Sequence, residues 1–243
     1  MKKAERTIKN LFQKMGILVK YYSPASSEDA RRVILLKKFN IDTVLDVGAN
    51  QGQYALDILY SGYKGKIISF EPLSEAYNIL NREQKKFVNN WIIAPRCAIG
   101  AENTEIEINI SENSVSSSIL NVMNSHLEGA SDSRTIGKEK VNLQTLDYIA
   151  EQYINPQNRL FLKIDVQGYE SEVLKGGAYL LKNIQGIEIE ISMIELYENQ
   201  KWLFSDVMTF MKNNNFSLYS LTPAFTNKQT GRVLQYNGIF FKD

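Results

Sequence analysis

Residues 43–54 read TVLDVGANQGQY. The apolar run Val44, Leu45, Val47 has the pattern of a strand buried on both faces. It breaks at Gly48 into a glycine-containing turn that leads to a helix near Gln51. Strand, tight glycine turn and helix N-terminus together make the nucleotide-binding corner of open α/β sheets. Glycine lets the backbone approach a ligand closely, and the N–H groups that open the helix face it. Asp46, at the carboxyl end of the strand, is placed to accept hydrogen bonds or attract a positive charge.

The remainder of the chain suits one large α/β domain. Its 243 residues are 44% apolar and 23% charged, values of an ordinary globular protein. A net charge of +1 gives no electrostatic case for nucleic acid. Cys97 is the only cysteine, which excludes an internal disulfide and a cysteine-based zinc site. No apolar run approaches the roughly 20 residues of a membrane span, and no apolar core follows the basic start as in a secretory signal. The expectation is a cytoplasmic protein.

Residues 1–26 stand apart as an arm, with 27–243 forming the domain. Lys2, Lys3, Arg6, Lys9, Lys14 and Lys20 face Glu5 alone, and Ile8, Leu11, Phe12, Met15, Leu18 and Val19 recur at helical spacing. This basic amphipathic helix over residues 1–22 is compatible with packing on the domain, with a homo-oligomer, or with peripheral association at the inner membrane surface. Ser27 reads as the N-cap of a helix over Glu28–Phe39. After the central strand come a helix over Gln53–Tyr60, a strand over Lys66–Phe70, and a helix over Ser74–Phe87 capped by Ser74. Residues around Trp91–Ile93 and Arg96–Ile99 read together as a third strand.

The alternation then breaks. Thr104–Ile110 alternates polar and apolar residues, as an exposed hairpin strand does. Residues 111–137 are rich in serine and asparagine, the composition of a lid or substrate loop. Val141–Leu143 suggests a further strand, Leu146–Tyr153 a helix, and Arg159–Val166 a strand ending in Asp165. A short helix over Ser171–Leu174 ends at Gly176-Gly177. In the strand Ile184–Ile191, three isoleucines point one way while Glu188 and Glu190 point the other. Carboxylates on a covered sheet face are costly unless paired or functional. A helix over Lys201–Asn213 precedes a closing hairpin of Phe216–Leu221 and Val233–Phe241.

About 20 residues beyond the glycine turn, Glu71 occupies the position of a carboxylate that binds ribose hydroxyls. That suits NAD and S-adenosylmethionine alike. The turn Gly48-Ala49-Asn50-Gln51-Gly52 departs from the G-x-G-x-x-G that admits a pyrophosphate, and Asp46 would repel one. Both features, with the closing hairpin, favour a ligand carrying an amino group and a sulfonium. An NAD-dependent oxidoreductase and a non-catalytic binding protein are the readings of other classes.

The segments DVGANQGQYA, FEP, CAIG, SSSIL, TLDYI, FLKIDVQGYESEVLKGG and IEIEIS follow one another in the order found in the FkbM-type S-adenosylmethionine-dependent methyltransferases, which the chain resembles over about Val44–Leu196. The resemblance implies a Rossmann-like class I methyltransferase fold, a seven-stranded mostly parallel sheet with a C-terminal antiparallel hairpin. It implies methyl transfer, commonly to oxygen, on sugars, glycan precursors or secondary metabolites, with N-methylation or a nucleotide-linked sugar as alternatives. By resemblance Asp46, Gly48, Asn50 and Gly52 hold the methionine part, Glu71 the ribose, and Cys97 and Ala98 the adenine edge. Ala49, Tyr54, Pro72 and Asp165 complete the cofactor-binding set.

For the chemistry, Asp165 lies where such sheets place reacting groups, outside the carboxyl ends of their strands. Glu190 ends the neighbouring strand, so the two carboxylates are candidates for a base or, as hard oxygen ligands, for Mg2+. His126, the only histidine, is a candidate base near neutral pH. Ser116–Ser118, Tyr169 and Tyr197 are candidates for the acceptor pocket.

Overall fold

The computed structural model describes residues 3–242, with side chains from Arg6 onward; the charges expected at Lys2, Lys3 and Glu5 lie outside what is described. In chain order the elements are α1 (Lys3–Lys14), α2 (Glu28–Lys38), β1 (Thr43–Val47), α3 (Gln53–Tyr60), β2 (Lys66–Phe70), α4 (Ser74–Gln84), β3 (Trp91–Ile93), β4 (Ala98–Gly100) and β5 (Thr104–Ser111). Then follow α5 (Asn124–Leu127), β6 (Thr135–Thr145), α6 (Leu146–Ala150), β7 (Leu160–Ile164), α7 (Glu170–Gly176), β8 (Ile184–Ser192), α8 (Phe204–Asn213), β9 (Phe216–Thr226) and β10 (Val233–Lys242).

Seven strands form the main sheet in the order β3-β2-β1-β7-β8-β10-β9. The first five run parallel, and β10 is antiparallel to both of its neighbours. This is the mostly parallel sheet with a closing antiparallel hairpin expected from the sequence. Chain order reverses between β1 and β7, and at such a switch point the loops part and leave a crevice at the carboxyl ends of the strands.

Each face of the sheet has its own core. On one face Leu45, Val47, Leu162, Ile164, Ile187, Ile189 and Ile191 pack with α6, α7 and α8. On the other, Val44, Ile67, Phe161, Ile239 and Phe241 pack under α2 and α3, with Trp91 wholly buried. The isoleucines of β8 thus face one core, and Glu188 and Glu190 the opposite side, as their alternation indicated.

Four local expectations are corrected. The first helix ends at Lys14 because Gly16 takes a left-handed φ of +74°, letting the Ile17 amide close back on the Phe12 carbonyl; residues 17–22 are not helical. Ser74 is the first helical residue of α4 rather than its cap, a position held by Leu73. The single strand expected around Pro95 is two: β3 joins the main sheet, while β4 leaves it for a second, three-stranded sheet of order β4-β6-β5. The strand expected at Val141–Leu143 is the last part of the 11-residue β6, paired along β5. This small sheet carries the polar loop 112–134, which the Asn109–Ser118 bridge and the bonds from Asn113 to Ser116 and Ser133 hold in place.

Candidate active site

A cavity of about 340 Å³ opens at the switch point. Its walls come from the β1–α3 turn, the end of β2, Cys97 and Ala98, the β7 end, β8, α2, and Ser114, Val115, Ser117, Ser118 and Ile119 of the polar loop.

The glycine turn forms one wall. Gly48 has φ +76°, and a Cβ there would lie 1.9 Å from the Asp165 carbonyl oxygen. No side chain fits, and β1 meets the β7 end through bare backbone. Gly48 and Ala49 both donate to the Phe70 carbonyl, and the Asn50 amide donates to Glu71 Oε2 at 2.8 Å. Glu71 Oε1 takes the Leu73 amide at 2.8 Å. Each carboxylate oxygen keeps a second lone pair for a ligand hydroxyl. Burial pushes the Glu71 carboxyl up to about 7, against the pull of those two amides and of Lys163.

Behind this wall the sheet carries a polar row. Ser69, Asp46, Lys163 and Glu188 are register partners on β2, β1, β7 and β8, so their side chains lie side by side. Lys163 Nζ sits 3.2 Å from Asp46 Oδ1 and 3.8 Å from Asp165 Oδ2, and it donates to the Gly48 carbonyl at 2.9 Å. Burial works to lower the Lys163 pKa, but Asp46 and Asp165 outweigh it and hold the ammonium above its ordinary value. Arg32 of α2 closes the row, donating to both oxygens of Glu188 at 2.6–3.0 Å and to Glu28 and Asp29 at 2.8 Å. Arg32 and Lys163 also lie over the Tyr54 ring. The Tyr54 hydroxyl is buried at the cavity wall without a hydrogen-bond partner.

The other wall is a carboxyl pair. Gln167, held at φ +57°, donates through Nε2 to Asp165 Oδ1 at 2.7 Å and to Glu190 Oε2 at 2.8 Å. Gln235 gives Glu190 a second donor at 2.7 Å. Gln167 is itself fixed by the Tyr197 hydroxyl and by Ser118, which donates to its carbonyl. Burial, then the charges of Asp165 and Glu190's neighbour Glu170, push the Glu190 carboxyl well above its usual range.

Of the residues singled out by sequence, Gly48, Ala49, Asn50, Tyr54, Glu71, Pro72, Cys97, Ala98, Ser117, Ser118, Asp165 and Glu190 line this cavity. Others do not. Asp46 is wholly buried behind the wall, between Lys163 and Ser69, because its position in β1 aims it at the register partners of the adjacent strands. Gly52 turns away, against the Trp91 ring. His126 is not a loop base: it is buried between the rings of Tyr197 and Phe225, and burial lowers its pKa to about 4. Tyr197 stands behind Gln167, Tyr169 packs in the core beside β4, and Ser116 bonds Ser133 rather than the cavity. The Cys97 thiol is buried and pushed up to about 12, hence unreactive. Among the described residues no three His, Cys, Asp or Glu side chains gather to hold a metal ion.

Sequence reasoning missed Arg32, Gln167 and Gln235, and flagged Glu188 only as a costly buried carboxylate without its partner Arg32. Glu188 carried a signal, a carboxylate in a buried strand opposite the Lys163 of FLKID. Arg32 carried none that set it apart from Arg31.

The Methyltransferase FkbM domain family matches residues 46–218. No curated protein matches the sequence. Among solved structures, an FkbM methyltransferase from Methylobacillus flagellatus KT aligns with TM-score 0.50 at 13% identity, covering 83% of this chain and 44% of that one. The present chain therefore spans less than half the length of that relative. A precorrin-6y C5,15-methyltransferase from Geobacter metallireducens GS-15 gives TM-score 0.47 at 10% identity, over 93% of this chain and 94% of that one. TehB from Haemophilus influenzae gives 0.48 at 12% identity, over 97% and 67%.

The residues present fit the cofactor of this family. Glu71 presents free lone pairs beside a turn that no side chain obstructs, and the Tyr54 hydroxyl is an unused donor on the same wall. The two cations that line the cavity, Arg32 and Lys163, are engaged by Glu188 and Asp46, while Asp57 and Asp165 also face it, a field that suits a sulfonium. The chain belongs to the FkbM methyltransferase domain family.

Proposed function

We propose that this chain methylates a hydroxyl of a neutral, polyhydroxylated acceptor, a sugar or glycan precursor. The observation that carries this reading is the Asp165–Glu190 pair, two carboxyl groups joined by one Gln167 amide at the cavity wall. Bound S-adenosylmethionine supplies a methyl group on a sulfonium, which departs as a neutral thioether. The chain's own task is to hold the acceptor oxygen in line and take its proton. Asp165 Oδ2, the oxygen not engaged by Gln167, accepts the acceptor's hydroxyl hydrogen and then the proton itself. Burial, then the charge of Asp165, bias the Glu190 carboxyl toward its protonated form. Glu190 hydrogen-bonds a further acceptor hydroxyl, while Ser114, Ser117 and Ser118 offer polar contacts along the loop side.

Of the two cations that line the cavity, Arg32 is engaged by Glu188 and Lys163 by Asp46, which speaks against an acceptor bearing phosphate, and so against a nucleotide-linked sugar. The test is transfer of labelled methyl to neutral oligosaccharides, amino sugars and nucleotide sugars, by wild type and Asp165→Asn, with and without EDTA. The reading predicts transfer to neutral acceptors and a loss of about 100-fold or more in kcat for Asp165→Asn, with cofactor affinity little changed. Exclusive labelling of the amine in amino sugars would make it an N-methyltransferase. Loss of cofactor affinity at unchanged kcat would make Asp165 a cofactor ligand. Loss of activity in EDTA, restored by Mg2+, would assign Asp165 and Glu190 to a metal.

A further inference from the structure

The charge of this chain is divided unevenly. Residues 1–22 contain six cations and one anion, a sum of +5; because the whole chain carries +1, residues 23–243 sum to −4. The basic portion is also where apolar surface is left uncovered. Leu11 is 60% exposed, Leu18 75% and Tyr22 68%, with Ile8, Met15, Ile17, Val19 and Tyr21 also exposed. Ile8, Leu11 and Phe12 fall at i, i+3 and i+4, one stripe along α1, with Met15 just past its end and Arg6 and Lys9 off the stripe. A helix of 12 residues is marginal alone in water, so its persistence calls for a surface to lie on.

The body continues this surface. Tyr22 donates to Ser61 at 2.9 Å, at the end of α3. The preceding residue, Tyr60, is 69% exposed and packs edge-on against Phe87. Beside them lie exposed Val88, Lys64, Lys66, Lys85 and Lys86, the loops being tied by Asn90 to the Lys64 carbonyl at 2.7 Å. Only Lys86 of these is paired, with Glu83. Arm and adjoining edge therefore share a sign and a mixture of lysines with exposed aliphatic and aromatic groups.

We infer that residues 3–22 and this edge dock together on an anionic lipid bilayer, the apolar stripe entering the acyl boundary and the cations meeting the headgroups. Docking on a second copy fits less well, because the surface beside the arm is itself basic while a membrane face is uniformly acidic. Lysine stems cover apolar surface while their ammonium ends stay at headgroup level, and tyrosines favour the same depth. Each Lys or Arg near such a surface strengthens binding about fivefold at low salt. The inference is independent of which acceptor is methylated.

The experiment is co-sedimentation of the full chain with vesicles of phosphatidylcholine alone, and of phosphatidylcholine with phosphatidylglycerol, at low and high salt. Expected are partition onto the anionic vesicles only, reversal by salt, and at least tenfold weaker partition for Leu11→Glu/Met15→Glu. Lys64→Glu/Lys85→Glu should weaken it similarly. S-adenosylmethionine binding by each variant, expected unchanged, shows that the fold is intact. Failure to partition onto either vesicle, or equal partition onto both, overturns the inference. So does a dimer in sedimentation equilibrium that Leu11→Glu/Met15→Glu converts to monomer without any change in lipid binding.

Discussion

Removing the Lys163 charge should destabilise the protein severely, and removing its partner as well should restore much of the loss. Lys163 is buried, and its ammonium lies 3.2 Å from Asp46, which has no exposed surface. At an effective dielectric of 20, unit charges that far apart attract by about 5 kcal/mol. Most of that offsets desolvation in the intact pair, but Lys163→Met leaves Asp46 charged and buried with only the Ser69 hydroxyl as partner. The expected cost is about 3–5 kcal/mol, out of a total stability of about 5–15. Asp46→Asn alone should cost less, because Lys163 keeps Asp165 and the Gly48 carbonyl. The double variant should lose at least about 2 kcal/mol less than the two singles added together. Urea unfolding at pH 7, followed by circular dichroism, measures all three. A Lys163→Met cost below about 1 kcal/mol, or strict additivity in the double variant, would refute the polar row as a coupled buried unit.

Further outcomes follow from the same geometry. Glu170, buried and bonded to the Gly168 amide, has its carboxyl raised to about 7 from 4.5, so the folded chain holds a proton that the unfolded chain releases. Its contribution to stability is complete below about pH 4.5 and is lost as pH rises through 7. The melting temperature of wild type should therefore fall more between pH 5 and 8 than that of Glu170→Gln; equal slopes would contradict the raised pKa. His126→Phe should leave methyl transfer within about twofold and stability equal or greater, since a buried ring nitrogen without a partner is removed. A hundredfold loss of kcat would return His126 to the chemistry. Gly48→Ala places a methyl against the Asp165 carbonyl at a positive φ, and should lower stability by about 3 kcal/mol and abolish cofactor binding in calorimetry.

The central corner was legible because everything that defines it is local. The strand 43–47, the glycines at left-handed φ and the helix at 53 follow from neighbours in sequence, and Glu71 sits one strand away. The inward face of β8 was legible too, since strand alternation separates Glu188 and Glu190 from the isoleucines whatever covers them. What escaped depends on pairings across long stretches. β4 meets β6 more than 40 residues later, and nothing near Pro95 marks the point where the chain leaves one sheet for another. Asp46, at the carboxyl end of β1, is a cofactor contact by resemblance; only the register with Ser69 and Lys163 shows that it faces its neighbours instead. His126 illustrates the same limit, because polar surroundings in sequence conceal the aromatic cage formed by Tyr197 and Phe225.

The most direct measurement is calorimetric binding of S-adenosylmethionine to wild type and to Glu71→Gln, with NADH as the competing ligand. The account predicts saturable binding of one S-adenosylmethionine per chain and no NADH binding. It also predicts a loss of roughly 10–100-fold in the variant, which keeps a single acceptor oxygen where the turn and the ribose need two. NADH binding in its place, or an affinity for S-adenosylmethionine that Glu71→Gln leaves untouched, would contradict the site described.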